Sequence, residues 1–157
     1  MATCIFPGKF EPFHTGQLMV VQGMMKTCDR VIIAICGGGQ EEMFNAEEVR
    51  DMISAALLNE SIMDAQIVVV DDCISDEDWV DKLLEVAERP ADEVAIWSGK
   101  DDVLALADKA GIATKRITHV PGHDSAEIRE MIKNKDRAWM TKVPGGANDV
   151  VMRHMNK

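Results

Sequence analysis

Three side chains suited to binding phosphate lie close together near the N-terminus: Lys9, His14 and Gln17. They belong to the segment GKFEPFHTGQ, which joins a short apolar run to a stretch with helical spacing. A lysine supplies a point charge, and a histidine can donate a hydrogen bond or carry charge. The first turn of a helix directs backbone N–H groups at an anion, and residues three apart share its face. We therefore predict that this turn holds nucleotide phosphates.

Neither common phosphate-binding fingerprint is present. Gly8 and Lys9 lack the upstream glycine and the following Ser or Thr of a Walker A loop, and the glycines at 37–39 are followed at position 42 by Glu42, where a dinucleotide-binding motif needs glycine. On these residues alone a plainer interpretation stays open. The first turn could be a tight connection with a surface lysine, and the glycines a loop that follows a strand.

Further candidates follow later predicted strands. A tryptophan such as Trp79 offers a flat face to a cationic ring, and acids such as Asp71 and Asp72 can orient an amide or bind a metal. Arg50 and Arg129 can bind phosphate, although either could be a solvated helix arginine. Trp79 could equally pack in the core.

The elements that must position these residues alternate along the chain. Apolar runs predict strands at 2–6, 31–36, 65–70, 93–97 and 115–120, and 3.6-residue spacing predicts helices at 18–25, 46–58, 76–88, 100–110 and 124–132, with short helices in the tail. Asn45 and Glu48 form a capping-box pattern for the second helix. Such alternation predicts an α/β fold, a parallel sheet with helices on both faces, in one domain over residues 1–157. Ligands of such sheets bind beyond the carboxyl ends of the strands.

Composition narrows the classes of partner. The formal net charge of −10 lacks the basic footprint of a protein that binds nucleic acid. No apolar run is long enough to cross a membrane, and no signal peptide is apparent, so we expect a cytoplasmic protein. Its four cysteines show no metal-site spacing, and we expect them to be reduced and buried.

At this point a family resemblance becomes visible. The pattern Gly-x-Phe-x-Pro-x-His-x-Gly at Gly8–Gly16 resembles the signature of the nucleotidylyltransferases that carry a His-x-Gly-His motif, and in particular the archaeal-type nicotinamide-mononucleotide adenylyltransferases. The chain departs from that motif at Gln17, where the family has a second histidine. Two later segments also resemble the family: FNAEEVR, which ends at Arg50, and HDSAEIR, which ends at Arg129. In the second of these, Ser125 lies between the two positions at which the family has hydroxyl side chains. Asp124 would repel phosphate there unless it caps the helix or binds magnesium.

The resemblance implies a Rossmann-like nucleotidylyltransferase fold and transfer of an adenylyl group from ATP, with Mg²⁺, to nicotinamide mononucleotide. By position it implies three groups of site residues. Catalytic roles fall to Lys9, His14, Gln17 and Arg129; nucleotide binding to Gly8, Phe10, Gly16, Ser98, Gly99 and Ser125; acceptor binding to Gln40, Arg50, Asp72 and Trp79.

Two alternatives stay open beside this interpretation. A related adenylyl- or cytidylyltransferase could use another phosphate acceptor, as an FAD synthetase does. A nucleotide-binding module could have lost its chemistry together with the second histidine. The family is often multimeric, so a homo-oligomer also stays open.

Overall fold

The computed structural model describes residues 2–36, 42–70, 75–118 and 122–157. Its five strands are β1 (Thr3–Gly8), β2 (Arg30–Cys36), β3 (Ala65–Val70), β4 (Val94–Ser98) and β5 (Ala113–Arg116). They form one sheet in the order β3-β2-β1-β4-β5. All four pairings are parallel, with Ile5 opposite both Ile32 and Ile96. The parallel sheet predicted from the sequence is confirmed, and β1 lies at its centre.

Six α-helices alternate with these strands and then complete the chain: α1 (Thr15–Thr27), α2 (Ala46–Asn59), α3 (Asp76–Ala87), α4 (Asp101–Lys109), α5 (Ser125–Lys133) and α6 (Ala147–Met155). Short 3-10 helices lie at Ala91–Glu93 and Arg137–Thr141. Successive strand residues point to opposite faces, and this divides the core in two. Phe6 and Ile33 pack with α1, α2, α5 and α6, whereas Ile5 and Ile32 pack with α3 and α4. Helices therefore cover both faces.

The fifth strand is the one element whose position differs clearly from the prediction. It ends at Arg116, and all four of its residues are exposed. An edge strand has a partner on one side only and need not be apolar, so the apolar residues of the strand predicted at 115–120 were a poor guide to it. Ile117 follows the strand and donates its backbone N–H to the Ser98 carbonyl. Residues 119–121 lie outside the described part of the chain.

The prediction of four reduced cysteines is wrong for two of them. Cys4 and Cys28 form a disulfide with 6.1 Å between their Cα atoms. Cys4 lies at the start of β1, and Cys28 is the C-cap of α1. In a strand–helix unit the helix returns the chain to the level at which the strand began, so residues 24 apart meet there. Metal-site spacing was the wrong pattern to look for, because the juxtaposition is tertiary.

The C-terminal segment is fastened to the body of the domain at two places. Thr15, the first residue of α1, donates both its N–H and its hydroxyl to the Lys142 carbonyl at 2.9 Å. Farther on, His154 and Lys157 bind the carboxylate of Glu48 on α2. Among the helices of the described ranges, none is long and apolar enough to span a membrane.

Candidate active site

A cleft of about 520 Å³ opens where β1 and β4 end, which is the edge at which parallel sheets bind ligands. Its volume lies within the range of small-molecule sites. Its walls come from the turn after β1, the turn after β4, the segment after β5 and the start of α5. All four predicted catalytic residues and all six predicted nucleotide-binding residues line it: Gly8, Lys9, Phe10, His14, Gly16, Gln17, Ser98, Gly99, Ser125 and Arg129.

His14 is the N-cap of α1, and the residue is 9% exposed. Its Nδ1 accepts the Gln17 backbone N–H at 3.4 Å, while Gln17 Oε1 accepts the His14 backbone N–H at 3.0 Å. This reciprocal arrangement is a capping box with histidine in place of serine or threonine. A ring nitrogen that accepts an N–H cannot itself carry a proton, so the neutral imidazole has its proton on Nε2. His14 is thereby prepared to donate from Nε2, and Gln17 retains only its amide NH₂ as a donor.

Two glycines at the connection between β1 and α1, Gly8 and Gly16, make room for neighbouring rings. A Cβ on Gly8 would lie 3.1 Å from Cζ of Phe10, and one on Gly16 would lie 3.1 Å from the His14 ring. Phe10 has φ of 55° and a buried side chain that makes edge contacts with Phe6 and Phe13. Both glycines were predicted to bind nucleotide. The described contacts relate the missing side chain of Gly8 to Phe10, and that of Gly16 to the position of the His14 ring.

Glu11, for which the sequence analysis predicted no role, holds the turn between β1 and α1 in place. It is 4% exposed, and its carboxylate accepts backbone N–H groups from Glu42, Met43 and Phe44 at 2.8–3.2 Å. These consecutive amides precede α2 and lack helical partners. The Glu11 carbonyl in turn accepts from Arg129 at 2.7 Å. One residue therefore ties the first turn to two other walls of the cleft.

The start of α5 resolves the conflict that Asp124 posed. The Asp124 carboxylate caps the helix, accepting N–H groups of Ala126 and Glu127 at 2.7 and 3.3 Å. Its charge is stabilised there by the helix N-terminus. Ser125 donates its hydroxyl to the Pro12 carbonyl at 3.4 Å. Together with the bond from Arg129 to Glu11, this contact joins α5 to the turn after β1.

The turn after β4 contributes shape and one cation. Ser98 is 4% exposed, and its hydroxyl accepts the Lys100 N–H at 3.1 Å. A Cβ on Gly99 would lie 3.3 Å from the Ile117 carbonyl, so a small residue is needed where this turn passes the end of β5. Lys100 lines the cleft and precedes α4. With Lys9 and Arg129 it gives the cleft three cationic side chains from separate segments.

The predicted acceptor-binding residues are placed differently. Gln40 and Asp72 lie outside the described residues. Arg50 donates to the Ile67 carbonyl of β3 at 3.3 Å, and Trp79, in the first turn of α3, packs against the core on the face of the sheet that α3 and α4 cover. Neither lines the 520 Å³ cleft. The described contacts therefore give Arg50 and Trp79 packing and hydrogen-bond partners outside this cleft.

Charge distinguishes this cleft from a second one of similar size. The second, of about 530 Å³, lies between α3 and α4 and is lined by Asp76, Glu77 and Asp81 with a single cation, Lys109. Three acids line the first cleft, Glu11, Glu42 and Asp124, and the carboxylates of Glu11 and Asp124 are turned to backbone N–H groups. The cations of the first cleft are thus less neutralised by acids, and only this cleft suits a polyphosphate.

Sequence reasoning missed Glu11, Lys100 and His123 as parts of the site. His123 lies beside His14, with 6.1 Å between the ring centroids. A basic residue directly after a strand was an available signal for Lys100. Glu11 and His123 lie within the segments GKFEPFHTGQ and HDSAEIR, but no role was predicted for either, because each contacts a segment more than thirty residues away.

The chain is similar in sequence to proteins of known function. A nicotinamide-nucleotide adenylyltransferase of Sulfolobus acidocaldarius is 29% identical over 94% of this chain and 87% of its own length. One of Halobacterium salinarum is 28% identical over 96% and 86%. The predicted resemblance is confirmed. This chain is homologous to the archaeal nicotinamide-nucleotide adenylyltransferases. No model of a protein family matches the chain.

Solved structures agree with these homologues in fold. A bifunctional NMN adenylyltransferase/ADP ribose pyrophosphatase of Francisella tularensis matches with a TM-score of 0.73 at 20% identity, over 85% of this chain and 42% of that one. A second structure of that description, complexed with AMP and a manganese ion, gives 0.68 at 17% identity, over 96% and 52%. The adenylyltransferase homologue thus spans about half of these structural neighbours, and most of the length of its archaeal relatives.

Proposed function

We propose that this chain transfers the adenylyl group of ATP to the phosphate of nicotinamide mononucleotide, giving NAD and pyrophosphate. One observation carries the proposal. Lys9, His14 and Gln17 share a single cleft with Arg129, although more than a hundred residues separate the two segments. The archaeal homologues bear the name of this reaction, and the first turn and α5 carry the motifs on which the resemblance rests.

For this reaction the protein must position the two substrates and stabilise the negative charge on their phosphates. An oxygen of the acceptor phosphate attacks the α-phosphorus in line, forming one P–O bond while the bond to the β-phosphate bridging oxygen breaks. The departing pyrophosphate carries away the electron pair. The attacking oxygen is already anionic, so no general base or protein nucleophile is needed. Lys9, Arg129 and the Nε2–H of His14 then stabilise charge on the transferred and leaving phosphates.

Magnesium enters this proposal with the substrate, as MgATP. Mg²⁺ retains several waters and is usually held by substrate phosphates with one or two carboxylates. Among the described residues no cluster of three or more candidate metal ligands is found. Three acids line the cleft, Glu11, Glu42 and Asp124, and two of them, Glu11 and Asp124, are committed to backbone N–H groups. The triphosphate is therefore the main ligand of the metal, which lowers the charge that the cations must offset.

For the acceptor, we propose that the nicotinamide ring binds near Trp79 and Asp72, which both follow β3 in the chain. An indole face attracts a cationic pyridinium ring. Trp79 is part of the core as well, so Trp79→Phe is the informative variant because it keeps an aromatic ring in the packing. We expect it to raise KM for nicotinamide mononucleotide while KM for ATP stays the same.

The decisive experiment measures pyrophosphate release and dinucleotide formation over a matrix of donors and acceptors. ATP and CTP would each be paired with nicotinamide mononucleotide, nicotinic acid mononucleotide, FMN and phosphopantetheine. We expect release with ATP and nicotinamide mononucleotide and much less with the other pairs. Lys9→Met should abolish most of this rate. Lys109→Met, which changes the one cation among the described residues that line the acidic cleft, serves as the matched control and should leave the rate unchanged.

Two outcomes would contradict the proposal in different ways. Faster release with another acceptor would show that the chemistry is right and the acceptor wrong. No release with any pair, together with tight binding of an ATP analogue, would show a nucleotide-binding module instead of an enzyme.

A further inference from the structure

A second imidazole lines the nucleotide cleft. His123 precedes the N-cap of α5 and is half-buried, and its ring centroid lies 6.1 Å from that of His14 with the planes tilted by 44°. Both rings belong to the lining of the same 520 Å³ cleft. Gly16 lies between them: a Cβ there would be 3.1 Å from the His14 ring and 3.3 Å from Cβ of His123. The missing side chain of Gly16 allows the two histidines to approach each other.

The relative position of the two rings is fixed by bonds that cross the cleft. Ser125 donates to Pro12, two residues before His14, and Arg129 donates to Glu11. Next to His123, Gly122 has φ of 81°, and a Cβ on it would lie 3.0 Å from Nζ of Lys142. The carbonyl of Lys142 accepts from Thr15, the residue after His14. The segments that carry the two histidines are thus joined through several intermediate contacts, as a preorganised site requires.

The spacing suits a shared anion. A charge-assisted hydrogen bond from an imidazole N–H to an anionic oxygen is about 2.7–2.9 Å long. Two rings at this separation can therefore each donate to oxygens of one phosphate group placed between them. The surrounding charges favour an anion. Lys9, Lys100 and Arg129 line the same space, and of its three acids Glu11 and Asp124 are turned to backbone N–H groups, which leaves Glu42.

Gln17 is a weak substitute for an imidazole at this place. Its Oε1 is used in capping α1, and its neutral amide can neither take up a proton nor carry charge. We propose that His123 is a second catalytic histidine, which contacts the same phosphate group of the nucleotide as His14 and stabilises the charge that develops on it. This inference rests on the proposed function and adds to it a residue from a different segment of the chain.

The first test is kinetic. His123→Ala should lower kcat by about tenfold to a hundredfold, the loss expected for one hydrogen bond to a charged group, with KM for nicotinamide mononucleotide little changed. His123→Gln keeps an N–H donor of similar reach and should retain more activity. His154→Gln removes a histidine outside the cleft and is the matched control, with kcat unchanged. Introducing Gln17→His into the His123→Ala protein should recover part of the lost turnover.

The second test needs no turnover and no variant of the site. The intact protein, labelled with ¹⁵N in its histidines, would be titrated with the magnesium complex of β,γ-imido-ATP. Ring resonances of His14 and His123 should shift together at saturation, whereas those of His154 should not.

The outcomes separate this inference from the proposed function. If NAD forms at the same kcat and KM in wild type and His123→Ala, or if the His123 ring does not respond to the bound analogue, the role of His123 is refuted and the function stands. If no NAD forms while both rings shift with the analogue, the acceptor chemistry is refuted and His123 stands as a phosphate ligand.

Discussion

Helices α1 and α2 both begin with a capping box, but the two boxes have different roles. In α2, Asn45 Oδ1 accepts the Glu48 N–H at 2.8 Å and Glu48 Oε1 accepts the Asn45 N–H at 3.1 Å. In α1 the equivalent partners are His14 and Gln17, with the longer bond of 3.4 Å at the imidazole. Asparagine is a better cap than histidine. The comparison teaches that α1 gives up some capping strength in order to hold a titratable ring at the mouth of the cleft.

The second residue of each capping box, Glu48 in α2 and Gln17 in α1, also differs in what it contacts. Glu48 also binds His154 at 2.6 Å and Lys157 at 3.0 Å, so the α2 box connects the C-terminal helix to the body of the protein. Gln17 faces the cleft instead. Variants of the α2 box should therefore change stability, and variants of the α1 box should change catalysis.

The largest effect is expected from His14. His14→Ala should lower kcat by about a hundredfold or more, because it removes a donor to the reacting phosphates, and should cost only about 1 kcal/mol of stability, the usual value for a lost cap. His14→Asn separates the two roles. It should restore the melting temperature, since asparagine is a strong cap, and leave kcat low. Recovery of kcat with asparagine would mean that His14 acts through the helix alone.

The second largest effect is expected from the carboxylate of Glu48. Glu48→Gln should lower the free energy of unfolding by about 1.5–3 kcal/mol, the range for hydrogen bonds to charged groups, because two basic partners lose their counter-charge. Denaturant unfolding measures this, and kcat at a temperature well below the melting point should not change. A parallel fall in kcat would show that α2 and α6 influence the cleft.

The same residue predicts a pH dependence. Burial tends to raise the pKa of Glu48, but hydrogen bonds from His154, Lys157 and the Asn45 N–H outweigh it and leave the pKa below its ordinary value of 4.5. A lowered folded-state pKa means that the unfolded chain binds the proton more readily. The stabilisation is therefore present above pH 4.5 and is lost as the pH falls through the lowered value. Between pH 4.5 and lower values, the free energy of unfolding should fall less with decreasing pH in Glu48→Gln than in the wild type. An equal fall in both proteins would assign the effect to other acids.

A smaller effect is expected at the cap itself. Asn45→Ala should destabilise the protein by about 1 kcal/mol, and Asn45→Ser should recover most of that loss because serine can also accept the Glu48 N–H. Thermal unfolding of the three proteins side by side would measure it. If alanine and serine destabilise equally, the cap contributes little to α2.

The smallest effect is expected at Gln17. Gln17→His should raise kcat a few-fold in the otherwise unchanged protein, because an imidazole can carry charge where an amide cannot. Loss of the Oε1 contact to the His14 N–H should slightly lower the melting temperature. Steady-state kinetics at saturating ATP would show the gain, and an unchanged kcat would mean that the amide is sufficient as a donor.

Much of the fold and half of the site could be predicted locally. The Asn45–Glu48 box was predicted because both partners lie within one turn of each other. The predicted bounds of β3 agree with the observed strand because a run of β-branched residues between polar ones marks a strand locally, although in this edge strand only Val70 is buried. The start of α1 was predicted three residues late, since a histidine N-cap is an uncommon signal.

The sequence by itself determined the order of the elements, the parallel sheet and the cationic turn after β1, because periodicity and turn chemistry depend on near neighbours. Only the tertiary structure decided which distant groups meet. It joined Cys4 to Cys28, set Glu11 against the amides that precede α2, and brought His123 beside His14. The physical reason is that such pairings depend on how helices pack across a sheet, and residues far apart in the chain carry no local record of that packing.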